Sequence, residues 1–205
     1  MSGNTDDQII AGNFYDKYAT QNPIAKYLMH GFFASLNDLI KKANANQIHE
    51  IGCGEGNLSA RLARQGYKVL GTDFSKDIIC TAQQQWREES LKFQVASVYD
   101  LEPSIHSAPL ILCCEVLEHL EEPEHALQKI SELQFETLIL SVPREPIWCL
   151  MNMARGKYWS DMGNTPGHIQ NWSKHRFLNM VASYFSIQEI KSPLPWTMVS
   201  CTKRE

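Results

Sequence analysis

Glu50-Ile51-Gly52-Cys53-Gly54-Glu55-Gly56-Asn57 follows a short apolar run, Ile48 to Ile51, and precedes an amphipathic one, Leu58 to Arg64. Apolar residues that end in glycines and give way to helical spacing read as strand, tight turn and helix. The glycines let the backbone bend sharply and let a ligand approach it closely. The dinucleotide form of such a loop is GxGxxG. Here the third glycine falls one place early and Asn57 follows it. Glu50 and Glu55 flank the loop, and their charge repels a diphosphate in a low-dielectric cleft. The loop therefore suits a cationic ligand without phosphate.

Working outward, Tyr67 to Thr72 reads as the next strand and ends at Asp73. A carboxylate there accepts hydrogen bonds from both hydroxyls of a ribose and disfavours a 2′-phosphate. Ser75 caps a helix that runs to about Glu89, with Asp77 in its first turn. Phe93 to Ala96, Leu110 to Cys114 and Thr137 to Val142 are further strands, with a helix from Ala126 to Leu133 before the last of these. Leu110 to Cys114 is apolar enough to be covered on both faces. Pro143 to Asn171 is less regular, and Trp172 to Tyr184 is a helix. Ser186 to Lys191 and Thr197 to Thr202 form a final hairpin that adds one antiparallel strand. Before the glycine loop, Ile9 to Tyr18 and Pro23 to Ala43 have helical spacing, with Asn22-Pro23 as a helix start. Strands alternating with helices give an α/β layer with a mostly parallel sheet.

At 205 residues with no break in composition, the chain reads as one domain. Hydrophobic residues at 43% and charged residues at 20% are ordinary for a globular protein. The net charge of −4 and the lack of a Lys/Arg block leave no basic footprint for nucleic acid. The 6 cysteines form no CxxC pair, so neither a disulfide framework nor a zinc ribbon is expected. Met1 to Gln8 is polar and acidic, without the pattern of a signal peptide. No run reaches the roughly 20 apolar residues of a membrane span. A soluble, cytoplasmic protein with reduced thiols, monomeric or a homodimer, is the expectation.

Glu50 to Gly56 resembles the first motif of class I S-adenosylmethionine-dependent methyltransferases, and Gly71-Thr72-Asp73-Phe74-Ser75 resembles their second. Cys114-Glu115-Val116-Leu117-Glu118-His119-Leu120 is similar to the segment after the fourth strand in the branch that includes ubiquinone-biosynthesis methyltransferases. The likeness extends over roughly Tyr15 to Thr202. It implies a Rossmann-like, seven-stranded, mostly parallel sheet with helices on both faces and a helical amino-terminal cover. It divides the chain into that cover (1–45), a cofactor-binding half (46–142) and an acceptor-binding half (143–205). It also implies S-adenosylmethionine as cofactor, S-adenosylhomocysteine as product, and no metal. By resemblance Glu50 serves the ammonium group, Gly52, Cys53 and Gly54 pass beneath the cofactor, and Asp73 with Phe74 holds the ribose end. Glu115 lies along the same edge. Tyr15 and Tyr18 either close over the cofactor or are plain amphipathic-helix tyrosines. Where family members often carry Asp-Ala after the third strand, Ser97-Val98 stands here. The Val98 amide still meets the adenine, and the charged contact to its amino group is missing unless Asp100 replaces it.

Methyl transfer to an oxygen or nitrogen that bears a proton needs somewhere to send that proton, and a histidine is the usual acceptor. Of 7 histidines, His30, His49, His106 and His125 read as structural. His119 follows the fourth strand beside Glu115 and Glu118, and His168 lies in the irregular segment. These two are the candidate bases, His168 first, although a helix-start histidine at 119 and a turn at 164–168 are the plain alternatives. His119 and His125, with Pro123 between them, do not read as a zinc pair. Arg144, Trp148, Tyr158 and Trp159 are candidates for the acceptor pocket, with Arg155 and Lys157 suited to an anionic group on it. Arg144 and Glu145 alternatively pair with each other or with neighbours. Trp86, Trp172 and Trp196 read as core. The activity expected is O-methylation of a small-molecule acceptor. Its rivals are an RNA or protein methyltransferase, a nicotinamide-dependent oxidoreductase and a non-catalytic S-adenosylmethionine-binding domain.

Overall fold

The computed structural model describes residues 22–154, 162, 164, 165 and 167–204. The Ile9 to Tyr18 helix expected from the sequence, with Tyr15 and Tyr18, lies outside the described residues, as do Arg155, Lys157, Tyr158 and Trp159.

Seven strands form a single sheet: β1 (Gln47–Ile51), β2 (Lys68–Asp73), β3 (Leu91–Val95), β4 (Leu110–Cys114), β5 (Thr137–Pro143), β6 (Phe185–Lys191) and β7 (Trp196–Lys203). Their order is β3-β2-β1-β4-β5-β7-β6. The pairs from β3 through β5 are parallel, whereas β7 runs antiparallel to both β5 and β6. The order reverses between β1 and β4, and in open α/β sheets the crevice at such a point, beyond the carboxyl ends of the strands, receives the ligand.

Alternate side chains of the buried strands enter opposite layers, as the two-residue period of a strand requires. Leu110, Leu112 and Ile139 pack with α1 (Pro23–Ala43) and α2 (Asn57–Arg64). Ile111, Cys113, Leu138, Leu140 and Val142 pack with α5 (Pro123–Glu132) and α7 (Lys174–Tyr184). Helix α1 presents Leu28, Phe32, Leu36, Leu39 and Ile40 inward, a helical stripe in which each fully buried side chain contributes about 1.5–3 kcal/mol. Asn22 starts it, its Oδ1 accepting from the Ile24 N–H at 2.9 Å. Lys42 and Lys191 bridge Asp38 and Glu189, tying α1 to the edge strand β6 with exposed ion pairs.

Several elements differ from the sequence reading. Helix α3 (Lys76–Gln85) stops short of Glu89 because Trp86 turns extended, its indole N–H donating to the Glu55 carbonyl at 2.8 Å. Helix α5 starts earlier than expected, with Pro123 in its first turn, where a missing N–H costs nothing. Helix α7 starts at Lys174 behind Ser173, whose hydroxyl accepts from the Arg176 N–H. Two helices had no counterpart in the sequence reading. One is the single turn α4 (Pro103–His106), and the other is α6 (Ile147–Ala154), whose near-continuous apolar sequence hides any helical period. Among the described residues no helix is long and apolar enough to cross a membrane.

Candidate functional site

The carboxyl ends of β1, β2 and β4 open onto a cavity of about 540 Å³. Cys53 donates its backbone N–H to the Thr72 carbonyl at 2.9 Å, which ties the glycine loop to β2. Gly52 has φ +70°, and a Cβ there would collide with Val116. Gly54 has φ +53°, and a Cβ there would meet nothing within 4 Å, because it would point into the open cavity. The two glycines thus have different tasks: the first lets two protein segments touch, and the second keeps the backbone bare toward a ligand.

Asp73 ends β2 and grips the loop. Its Oδ2 accepts from the Gly54 N–H at 3.1 Å and its Oδ1 from the Ser75 N–H at 3.0 Å. A carboxylate has about four lone-pair sites, so each oxygen keeps capacity for another donor. Glu50 is buried, at 5% exposure, and accepts from the Ser59 hydroxyl. Burial pushes its carboxyl up to about 8. Cys53, beside it, is raised far above the thiol range by burial and then by the charges of Glu50 and Asp73, so it is an inert thiol.

Glu115 follows β4 with φ +61°, a left-handed conformation that a residue with a Cβ rarely adopts. Its carboxylate is held by the Trp196 indole N–H at 2.6 Å and by the Ser141 hydroxyl at 3.3 Å. Trp196 begins β7, so the antiparallel strand supplies part of the cavity wall. Ser97 and Val98 line the wall after β3, with the Ser97 hydroxyl accepting from the Tyr99 N–H. Phe74 stands half-exposed at the mouth, at 49%. Asp100 is exposed and is not in the wall.

His119 lines the same cavity. Its Nδ1 is 2.8 Å from the Gly167 carbonyl, and its ring meets that of His168 edge to face with centroids 4.9 Å apart. Behind His168 stacks Trp148, at 5.7 Å, and Trp148 in turn packs on Trp196. The His168 N–H donates to the Thr165 carbonyl. The Thr165 hydroxyl accepts from the Trp148 indole and the Asn152 amide. His49 and His106 are buried together, His49 contacting the His106 carbonyl and the Thr72 hydroxyl.

Of the residues singled out in the sequence, Glu50, Gly52, Cys53, Gly54, Asp73, Phe74, Ser97, Val98, Glu115 and His119 share this one cavity. Arg144, Trp148 and His168 do not line it, His168 standing one ring away behind His119. The Arg144 backbone is bound to Pro195 and Glu145 accepts from the Cys149 N–H, so this stretch anchors α6 instead of facing the cavity. Trp196, read as core, does line it. No local pattern marks that role, which arises because β7 crosses beside β5. Met29 and Phe32 of α1 complete the wall opposite.

Residues 48–134 match the family model described as a methyltransferase domain. A ubiquinone biosynthesis O-methyltransferase of Vibrio cholerae is 30% identical over 104 residues, which are 48% of this chain and 42% of that protein. The chain thus aligns with less than half the length of the curated relatives it matches. Magnesium protoporphyrin IX methyltransferase from Synechocystis PCC 6803, solved with bound SAH, superposes with a TM-score of 0.67 at 20% identity, covering 90% of this chain and 89% of that one. The PH0226 protein from Pyrococcus horikoshii OT3 superposes with a TM-score of 0.70 at 15% identity, over 90% and 93% of the two chains.

Proposed function

We propose that the chain, whose residues 48–134 match a methyltransferase domain and whose fold is that of S-adenosylmethionine-dependent methyltransferases of class I, binds S-adenosylmethionine in the cavity and methylates an oxygen of a small-molecule acceptor beside His119 and His168. The observation that carries this reading is the sign of the wall. Glu50, Asp73, Glu115, Glu121 and Glu122 line the cavity and, among the described residues, no Lys or Arg does. Such a wall rejects phosphate and favours a ligand with cationic groups.

S-adenosylmethionine, when bound, supplies a sulfonium whose methyl group is already activated for displacement. The protein's tasks are binding, alignment and exclusion of water. Glu50 receives the ammonium group. A cation beside its buried carboxyl favours the ionised form, so Glu50 releases a proton as the cofactor enters at neutral pH. The bare backbone at Gly54 allows close approach, and the remaining lone pairs of Asp73 accept from the ribose hydroxyls. Ser97 and Val98 border the base. The hydroxyl of the acceptor gives its proton to an imidazole of the His119–His168 pair. In His119 the Gly167 carbonyl only accepts, so Nδ1 carries the hydrogen and Nε2 carries the lone pair. The O-methyl activity in the name of the Vibrio cholerae relative supports the preference for oxygen over nitrogen.

Calorimetric titration with S-adenosylmethionine and, separately, NAD⁺ tests the cavity: binding of the first and not the second is expected. Incubation of the protein with methyl-labelled S-adenosylmethionine and metabolite extracts tests the acceptor. Label is expected in small molecules. Label confined to RNA or protein, or transfer to nitrogen alone, overturns the acceptor assignment.

A further inference from the structure

Ile24 and Tyr27 of α1, Leu194 in the loop before β7 and Leu150 of α6 stand 60%, 75%, 49% and 64% exposed. We propose that these side chains form one apolar face that seats the protein on an anionic phospholipid bilayer, beside the mouth of the cavity. This face exists whatever reaction the cavity carries.

Three elements bring these residues together. Ile24, Tyr27 and Gly31 follow one another at three- and four-residue spacing, so they share one flank of α1. At Gly31 that flank meets the loop before β7: a Cβ there would lie 3.9 Å from the Cβ of Pro193, the neighbour of Leu194. The same loop touches the start of α6. The Pro195 carbonyl accepts from the Arg144 N–H at 2.8 Å, and the Arg144 carbonyl accepts from the Trp148 N–H in the first turn of the helix at 3.0 Å. Helix α6 turns Trp148 and Asn152 toward Thr165, and Trp148 and Met151 pack on the core. Leu150 and Met153 therefore fall on the opposite side of the helix. The helix contains no charged residue. A helix side that faces water normally carries polar groups, and an apolar one in that place marks a surface that binds something. The face borders the mouth, because α1 also gives Met29 and Phe32 to the cavity wall and Leu194-Pro195 leads directly into Trp196.

Charge selects the partner. The chain carries −4 overall and its cavity wall is acidic, yet residues 23–33 of α1, the 192–195 loop and α6 contain no Asp or Glu. Lys26 is exposed between Ile24 and Tyr27, and Lys174 donates to the Ser192 hydroxyl at 2.8 Å beside the loop. Arg155 and Lys157 follow α6 in the sequence against the single acid Asp161, with Tyr158 and Trp159 between. Two acids on neighbouring stretches are engaged: Glu145 accepts from the Cys149 N–H at the start of α6, and Asp38 is held by Lys42 and Lys191. Apolar side chains bordered by Lys and Arg, with aromatic residues among them, suit the surface of a bilayer. The hydrocarbon enters the headgroup layer, the rings stay at its boundary and the cations meet anionic lipid. A protein partner would ordinarily find hydrogen-bonding groups within such a face, and of the four exposed side chains only Tyr27 offers one. Among the described residues no helix can cross a membrane, so the association is peripheral.

The test is flotation of the full chain with vesicles of phosphatidylcholine alone and of phosphatidylcholine with about 30% phosphatidylglycerol. Binding to the second and little to the first is expected. Raising salt from about 0.1 M to about 1 M shortens the screening length from about 10 Å to about 3 Å and should weaken that binding at least about fivefold. Tyr27→Ser, Leu150→Gln and Leu194→Gln should each weaken it several-fold, and the three together at least about tenfold. Ile105→Gln, at an exposed apolar residue of α4 outside the face, should leave it unchanged. The replaced side chains are exposed, so the variants should melt as the wild type does and keep its affinity for S-adenosylmethionine in solution. No flotation with either vesicle, or equal flotation of the triple variant and the wild type, overturns the proposal. Equal flotation with both compositions overturns the anionic assignment. A dimer in light scattering that the triple variant abolishes, without vesicle binding, makes the face an interface between copies of this chain and also overturns it.

Discussion

The loop after β1 and the segment after β5 both lead toward the cavity, yet they are held in different ways. Residues 52–56 are fixed by backbone geometry and near neighbours: positive φ at Gly52 and Gly54, and Asp73 accepting from the Gly54 N–H. The described residues of the segment after β5 are held by partners that reach across the chain: the Trp148 indole on Thr165, the Trp148 ring on His168, and the Ile169 N–H on the carbonyl of Glu118. The first region is a short rigid cradle. The second is an assembly whose shape depends on many packed partners. A wall of the first kind suits an invariant ligand, and one of the second kind admits variation in what it recognises.

If this contrast is right, the cradle should respond sharply to single changes. Gly54→Val fills the space reserved for the ligand and adds strain at a positive φ. S-adenosylmethionine affinity should fall at least about a hundredfold, roughly 3 kcal/mol, with folding retained in circular dichroism. Near-normal binding would break the assignment of the loop. Asp73→Ala should weaken the cofactor by about 1–3 kcal/mol through lost charge-assisted hydrogen bonds. It should also lower the melting temperature, because the Gly54 and Ser75 amides lose their acceptor.

Glu50 sharpens the comparison through pH. Its folded-state value of about 8 lies above the ordinary 4.5, so the folded protein holds a proton that the unfolded chain releases. Its contribution to stability without cofactor therefore declines as pH rises from about 4.5 to about 8 and is level beyond. Binding of an ammonium group reverses the preference. Calorimetry at pH 7 in buffers of different ionisation enthalpy should show up to one proton released per cofactor bound. Glu50→Gln should abolish that release and flatten the decline in stability. The smallest effect is expected in the second region. Trp148→Phe keeps a ring on His168 but removes the donor to Thr165. Cofactor affinity should stay within about twofold, while the KM for the acceptor rises several-fold. Equal damage to both would mean the two regions are not separate.

The same contrast explains what the sequence discloses. The sheet, the glycine loop and Asp73 are legible because strand period, turn chemistry and helix caps are local properties: Asn22, Ser75 and the apolar Leu110 to Cys114 all act within a few residues of themselves. Trp196 is not legible as a wall residue, since its bond to Glu115 spans 81 positions. Helix α6 is hidden for a different reason, its apolar residues giving no period to read. The meeting of Glu118 and His119 with His168 has no spacing motif either; it exists because backbone hydrogen bonds lay residues 169 and 170 along the segment after β4.

The antiparallel strand β7, which enters between β5 and β6, sets an order on biosynthesis. Five parallel strands, with Glu50, Gly54 and Asp73 already among them, emerge from the ribosome before Trp196 does. Until then Glu115 lacks the indole that braces it in the finished fold. A nascent chain at that point has a half-walled crevice, and ligand affinity should therefore be acquired late in translation, when the hairpin slots in.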